Sequence, residues 1–149
     1  MDFGIMEGVL LSELGQISHP KGDIFHALKV TDEGYLGFGE AYFSFVKKGE
    51  VKGWKCHTEM VLNLIVPLGE IRFVIFDDRD GSLTLGKYKE VTLSPNNYKR
   101  LTVAPNLWVA FQGCRQGGNM LLNIASIPHD PEESVNREID DLPYDWALL

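Results

Sequence analysis

Hydrophobic and polar residues alternate in short runs along most of the chain, and turn-forming residues end each run after about ten positions. Alternation places successive side chains on opposite faces of a strand, so this pattern predicts β-strands, and helical periodicity is nearly absent. The predicted strands cover residues 9–14, 24–30, 37–45, 50–56, 61–67, 71–77, 88–93, 99–103, 108–114 and 119–125. Nine or ten strands in one domain require two packed sheets or a closed barrel.

The segment from residue 129 onward differs from the rest of the chain in charge. It holds seven of the 21 acidic residues and only Arg137 of the 14 basic ones, so the net charge of −7 arises mainly there. The remaining body is nearly neutral, and nucleic-acid binding, which usually needs a basic face, is not expected. Residues 131–133 predict a turn or short helix. Tyr144 and Trp146 predict that the acidic segment packs back onto the body.

Composition is typical of one soluble globular domain over residues 1–149. With 44% hydrophobic and 23% charged residues, the chain has too much apolar content for intrinsic disorder. The longest apolar run, 61–69, is too short to span a membrane, and the Met1–Gly4 start has no signal-peptide pattern. Cys56 and Cys114 alone cannot form a disulfide framework, which favours a cytoplasmic location.

The spacing of Gly49, Lys55, His57, Leu62 and Gly69 resembles the first motif of the cupins. In that motif alternate residues of one strand point into a barrel, so a His-x-His pair places two metal ligands on one wall. The second motif maps its ligand onto Val109. Of the four ligand positions only His57 can bind a metal, so we expect a jelly-roll scaffold (a double-stranded β-helix) with no metal site and no cofactor.

Several segments in order resemble dTDP-4-dehydrorhamnose 3,5-epimerase and its shorter relatives within the cupins. They are 21–25 (KGDIF), 38–44 (FGEAYFS), 47–53 (KKGEVKG), 69–71 (GEI), 77–86 (DDRDGSLTLG), 93–97 (LSPNN) and 140–146 (DDLPYDW). The resemblance runs from about His19 to Trp146 and implies an all-β, cupin-type jelly roll that forms a homodimer.

The resemblance also implies a chemistry, epimerisation of a nucleotide-linked 4-keto sugar. The family uses a His held by an Asp as base, a Lys near the enolate oxygen and a Tyr as acid. These positions fall here on Lys55 for the base, on Leu62 for the Lys and, less surely, on Asn123 for the Tyr. Asp140 or Asp141 would be the carboxylate partner. Lys52 and Lys21 stand where the family has arginines on the nucleotide side.

The residues themselves suggest replacements for the missing groups. Lys55, His57 and Tyr42 are the candidate catalytic residues, because a pocket Lys and a His can exchange protons near neutral pH and a phenol can donate one. Glu40, Tyr42 and Ser44 alternate on one strand and share a face. Glu40 and Ser44 are therefore candidate substrate-binding residues, as are Lys52, Lys21 and Asn123.

Four further residues have two readings each. Trp54 either walls the pocket, stacking on a base or sugar, or packs in the core. Arg79, in the 77–81 turn, is expected to form a structural salt bridge, and the alternative is a ligand contact. Lys47 and Lys48 are expected to protect an edge strand, and the alternative is a phosphate-binding rim.

The sequence leaves open whether the protein is an active enzyme, and it favours an isomerase. We expect a metal-independent epimerase or isomerase of cell-surface polysaccharide biosynthesis, acting on a dTDP- or UDP-linked 4-keto-6-deoxy sugar. The alternative is a catalytically inactive cupin that binds a sugar or nucleotide sugar. A metal-dependent oxygenase is disfavoured by the ligand count.

Overall fold

Two five-stranded antiparallel sheets face each other in the computed structural model, which describes residues 6–148. The first sheet has the order β1-β9-β6-β11-β4, and its strands are Val9–Glu13 (β1), Lys99–Val103 (β9), Leu62–Leu68 (β6), Met120–Ala125 (β11) and Glu40–Phe45 (β4). The second has the order β12-β5-β10-β7-β8, and its strands are Ser134–Asn136 (β12), Val51–His57 (β5), Trp108–Gly113 (β10), Ile71–Phe76 (β7) and Tyr88–Leu93 (β8). Gln16–Ile17 (β2) and Ile24–Phe25 (β3) form a separate hairpin, and Ile139–Asp141 is a 3-10 helix. This architecture confirms the predicted cupin-type jelly roll.

Apolar side chains from the inner faces of both sheets form the main core. Phe73, Ile75 and Leu93 of the second sheet and Leu64 and Leu101 of the first are at most 2% exposed. These residues alternate with outward-facing ones along their strands, which is the pattern that predicted the strands. The core borders the cavity, and the residues that belong to both are Leu62, Leu64, Val109 and Leu121.

The acidic C-terminal segment covers the outer face of the second sheet. Leu142, Tyr144 and Trp146 pack there on a second apolar cluster that includes Trp54 and Trp108. The predicted packing of this segment onto the body is therefore confirmed. The predicted turn is present as well, because the Glu133 N–H donates to the Asp130 carbonyl at 3.0 Å. Apolar residues pack on both faces of β10, which explains why residues 108–114 form a nearly continuous apolar run.

One predicted strand, 24–30, is mostly loop, and only its first two residues pair. Arg100 is 2% exposed, and its guanidinium donates to the carbonyls of Ala27 and Glu33. The Tyr98 hydroxyl likewise donates to the His26 carbonyl. These carbonyls satisfy a buried cation instead of a neighbouring strand, so the prediction of a seven-residue strand here is wrong.

No helix within residues 6–148 is long and apolar enough to cross a membrane. The Met1–Gly4 start, on which the expectation about a signal peptide rests, lies outside the described residues.

Candidate functional site

A cavity of about 630 Å³ lies between the two sheets. One wall comes from the first sheet and includes Tyr42, Leu62 and Asn123, and the facing wall comes from β5 and β10 of the second sheet. Residues of the C-terminal segment close a third side. This volume is in the range of pockets that hold small molecules.

An irregularity in β5 brings two lysines to the cavity wall. Lys52 pairs with Phe111 and Lys55 with Val109, so three steps along β5 match two along β10. In a regular strand residues three apart face opposite sides, but the extra residue turns both lysines to the cavity. Gly53 makes the close approach possible, because it has φ of 142° and an added Cβ would lie 2.6 Å from the Ala110 Cβ.

His57 lies two residues beyond Lys55 on the same wall and contacts a carboxylate. Its Nδ1 is 2.7 Å from Glu133 Oε1. The pairing of β12 with β5 brings Glu133 there, because Ser134 lies opposite His57 in the ladder. An ionised carboxylate only accepts hydrogen bonds, so Nδ1 carries a proton, and in the neutral imidazole Nε2 has the free lone pair. The imidazole is thus oriented as a proton acceptor.

Glu133 is held in the charged form by its surroundings. The residue is 3% exposed, and Oε2 accepts hydrogen bonds from the N–H groups of Glu59 and Met60 at 2.9 and 2.8 Å. Burial by itself raises the pKa of Glu133, but the hydrogen bonds from His57 and from these two N–H groups outweigh it and lower the pKa. The carboxylate therefore stays ionised beside His57.

The facing wall presents a phenol. Tyr42 and Asn123 are opposite each other in the β4–β11 ladder, and the Asn123 amide donates from Nδ2 to the Tyr42 hydroxyl oxygen at 2.9 Å. Burial and the nearby charge of Glu40 raise the pKa of Tyr42, against the smaller lowering effect of Asn123. The phenol is therefore protonated at neutral pH and available as a donor.

Three cations border the cavity. Lys52 Nζ donates to the Phe45 carbonyl at 2.7 Å and to Ser44 Oγ at 3.3 Å, which directs it toward β4. The Arg137 guanidinium lies 4.7 Å from the centre of the Trp108 ring. Lys55 is the third cation. Within residues 6–148, none of Lys52, Lys55 and Arg137 has a carboxylate within 4.0 Å. The three charges are available to an anionic ligand.

Most residues proposed from the sequence gather at this cavity. Those that border it are Tyr42, Lys52, Trp54, Lys55, His57 and Asn123. Ser44 touches the site only through Lys52, and Glu40 acts on it through its charge. Lys21 lies on an exposed loop and does not border the cavity, so its substrate-binding role stays a prediction.

Contacts bear on two of the open alternatives. Trp54 is 1% exposed, packs against Tyr88 and Trp146, and donates from its indole to the Ile139 carbonyl, as the core-packing alternative expects. It also borders the cavity, so its stacking on a base or sugar stays a prediction. Arg79 forms the expected structural salt bridge, with Nε 2.9 Å from Asp77 Oδ1.

Sequence reasoning missed the carboxylate that contacts His57, which is Glu133. Asp140 or Asp141 as the partner of the base position at Lys55 stays a prediction. Asp141 borders the cavity, and its carboxylate accepts the Glu138 N–H. The sequence held no signal for Glu133, because a three-residue strand and its register are too short to read from alternation. Arg137 was missed for the same reason.

The four positions that carry ligands in the cupin motifs converge on the cavity, as the spacing predicted. They are Lys55, His57, Leu62 and Val109. An ammonium and two aliphatic groups cannot ligate a metal, so the donor set does not fit one. In the part of the chain that the structure covers, no cluster of three or more His, Cys, Asp or Glu side chains has the geometry to hold a metal.

Comparison with known proteins places this cavity in context. The structure resembles that of a dTDP sugar isomerase from Desulfovibrio desulfuricans G20, with a TM-score of 0.91 and 37% identity over 95% of this chain and 92% of that one. The chain is 27% identical over 106 residues to the probable low-salt glycan biosynthesis epimerase Agl13 of Haloferax volcanii. That alignment covers 70% of this chain and 66% of Agl13, slightly under two thirds of its length.

More distant similarity concerns the fold alone. The epimerase of Legionella pneumophila in complex with dTDP-4-keto-L-rhamnose has a TM-score of 0.80 and 20% identity, over 96% of this chain and 80% of that one. No protein-family model matches the sequence.

Proposed function

The chain belongs to the family of dTDP-sugar epimerases and isomerases related to dTDP-4-dehydrorhamnose 3,5-epimerase, and from this premise we propose that it epimerises a dTDP-linked 4-keto-6-deoxy sugar without a metal. The observation that carries the proposal is the placement of a carboxylate-bound imidazole and a protonated phenol on facing walls of one cavity. The proposed role is in the biosynthesis of a cell-surface polysaccharide.

His57 is the proposed base. A ketone makes the C–H bonds on the adjacent carbons acidic, and Nε2 removes one of these protons to leave an enolate. The imidazole becomes an imidazolium, and the Glu133 carboxylate at Nδ1 stabilises that charge. The family resemblance placed the base at Lys55, two residues before His57.

Lys55 is the proposed electrostatic partner of the enolate. Its ammonium projects from the same wall as His57 and has no carboxylate partner within residues 6–148. A cation aimed at the developing oxyanion stabilises the transition state more than the neutral ketone. Lys55 thereby replaces the lysine that the family has at the position of Leu62.

Tyr42 is the proposed acid. It projects from β4 of the first sheet, whereas His57 projects from β5 of the second, so the two groups approach a bound sugar from different sides. Proton removal by one and return by the other inverts the carbon. The same base returning the proton would restore the original configuration.

The nucleotide is proposed to lie toward Lys52 and Arg137, where its diphosphate meets two cations. Arginine is suited to diphosphate, because its planar fork donates two parallel hydrogen bonds. Stacking on Trp108 and the paired backbone hydrogen bonds between Arg137 and Trp54, at 3.0 and 3.1 Å, support the guanidinium before a ligand arrives.

Arg137→Gln is expected to weaken dTDP binding by about 10- to 100-fold, since a hydrogen bond to a charged group contributes about 1.5–3 kcal/mol. Calorimetric titration with dTDP and with thymidine measures the effect. Thymidine affinity should not change, because it has no phosphate. Lys87→Gln removes an exposed charge away from the cavity and serves as the control. Equal weakening for both ligands would contradict a phosphate contact.

The proposed function is tested by solvent exchange. The protein, incubated with dTDP-4-keto-6-deoxyglucose in deuterated water, should incorporate deuterium at C3 or C5 and produce an epimer, both visible by proton NMR. The UDP-linked sugar, run in parallel, tests the choice of nucleotide. Binding without exchange would support the inactive sugar-binding cupin instead. The absence of both binding and exchange would refute a nucleotide-sugar ligand.

We also propose that the protein works as a single-domain chain in a cytoplasmic homodimer. β4 is an edge strand of the first sheet, and Phe43 and Phe45 on its outer face are 61% and 59% exposed. Phe38 is 62% exposed nearby in the chain. An apolar edge of this kind favours pairing with a second copy. The free thiols of Cys56 and Cys114 are consistent with a reducing compartment.

A further inference from the structure

Asn123 has an unusual hydrogen-bonding state for a buried amide. It is 7% exposed, and Nδ2 donates to the Tyr42 hydroxyl oxygen. Its Oδ1 is buried and has no partner within residues 6–148. Leaving a buried acceptor unpaired is costly, so such a group needs a physical explanation. The fold therefore keeps the bond to Tyr42 although it leaves the other half of the amide unsatisfied.

The direction of this bond decides what the phenol can do. A hydroxyl oxygen that accepts a hydrogen bond from Nδ2 keeps its own proton for another partner. Tyr42 borders the cavity and makes no other hydrogen bond within the described part of the chain. Its O–H is therefore directed away from Asn123 and is available to a ligand.

We propose that Asn123 is a positioning residue that holds Tyr42 as a proton donor toward the sugar. This inference rests on the proposed function. In the step, the Tyr42 O–H bond breaks, the proton forms the new C–H bond with the enolate carbon, and a phenolate remains. The Nδ2–H of Asn123 stabilises the phenolate, which then takes a proton from water, while the His57 imidazolium gives to water the proton that it took from the sugar.

Other charges also act on the phenol. Glu40 lies on its own strand, and the charged or titratable groups that share the cavity are Lys52, Lys55, His57, Arg137, Glu138 and Asp141. Of these effects, burial and Glu40 raise the pKa of Tyr42, whereas Asn123 lowers it. Removing the amide therefore makes the phenol a weaker acid.

The test compares two substitutions of Asn123. Which of them lowers kcat more depends on the direction of the hydrogen bond between Asn123 and Tyr42. Asn123→Ala removes the donor, and kcat for epimerisation should fall by on the order of 10-fold with KM little changed. Asn123→Asp keeps the size but offers an acceptor, which draws the O–H away from the cavity. Its kcat should therefore fall further than that of Asn123→Ala. Asn96→Asp, on an exposed turn, is the control for an added charge.

A merely structural role predicts the reverse order, since Asp fills the space that Ala leaves empty. The same reverse order follows if the phenol donates to the amide. Higher activity in Asn123→Asp than in Asn123→Ala would thus overturn the proposal.

A second readout does not need activity. With ¹³C-labelled tyrosine, the Tyr42 signal, identified from Tyr42→Phe, reports the pKa of the phenol by NMR. That pKa should rise in Asn123→Ala and rise further in Asn123→Asp. If the wild type shows no exchange, the proposed function fails while the titration still tests Asn123. An unchanged titration would refute the positioning role even in an active enzyme.

Discussion

His57→Gln is expected to lower the rate of deuterium exchange into the sugar by about 10²- to 10⁴-fold, the usual contribution of a positioned general base. Glutamine retains hydrogen-bonding capacity toward Glu133 but cannot accept a proton at neutral pH. Exchange followed by proton NMR at saturating substrate measures the loss. Calorimetry with dTDP should give an affinity close to that of the wild type, because the base does not contact the nucleotide.

A matched histidine separates the base from a general effect. His26→Gln changes an exposed histidine that does not border the cavity, and its exchange rate should equal that of the wild type. Glu133→Gln should lie between the two, with a loss of roughly 10- to 100-fold, because it leaves the base but weakens its orientation. Undiminished exchange in His57→Gln would refute the proposed base.

Asp77→Ala is expected to reduce the free energy of unfolding by about 3–5 kcal/mol, because it removes one partner of a buried ion pair. Asp77 is fully buried, and its carboxylate accepts hydrogen bonds from Arg79, Ser82 and Thr84 at 2.5 to 3.0 Å. Its removal leaves these donors without an acceptor. Urea denaturation at pH 7 measures the change.

The same group makes stability dependent on pH. Hydrogen bonds from Arg79 are the largest influence, and with those from Ser82 and Thr84 they outweigh burial and hold the pKa of Asp77 well below its usual value. The folded protein therefore binds fewer protons than the unfolded chain in acid. Stability from this group is complete above about pH 4 and falls as the pH decreases further. The lowered pKa of Glu133 acts in the same direction.

Asp80→Ala provides the comparison, since Asp80 belongs to the same turn but is exposed. Its free energy of unfolding should remain within about 0.5 kcal/mol of the wild type. In Asp77→Ala the loss of stability below pH 4 should be smaller than in the wild type. Equal effects of the two substitutions at pH 7 would show that the turn, and not the buried pair, is what matters.

Alternation along the chain was enough to predict nine of the ten strands of the two sheets, eight of them to within one residue at each end. It also predicted the inward direction of their side chains. It also predicted that Lys55 and His57 share a wall and that Tyr42 shares a face with Glu40 and Ser44. These are local consequences of a two-residue repeat. The spacing of the cupin motif added that Leu62 and Val109 face the same space, which the cavity confirms.

The same rule misplaces Lys52 relative to Lys55. Three residues apart, they would face opposite sides of a regular strand, and only the extra residue in β5 against β10 turns both to the cavity. A bulge is a property of the pairing between two strands. Its presence depends on Gly53 meeting Ala110, a contact between residues far apart in the chain.

By itself the sequence determined the all-β architecture, the inward-facing candidates and the absence of a metal-ligand set at the cupin positions, because each follows from residue type and short spacing. Only the tertiary structure decided that Glu133 is the partner of His57, that Arg137 joins the cavity and that Asn123 donates to Tyr42. The physical reason is range. Each of these contacts depends on the register of strands distant in sequence, and many acidic and polar residues were equally available until that register placed one of them.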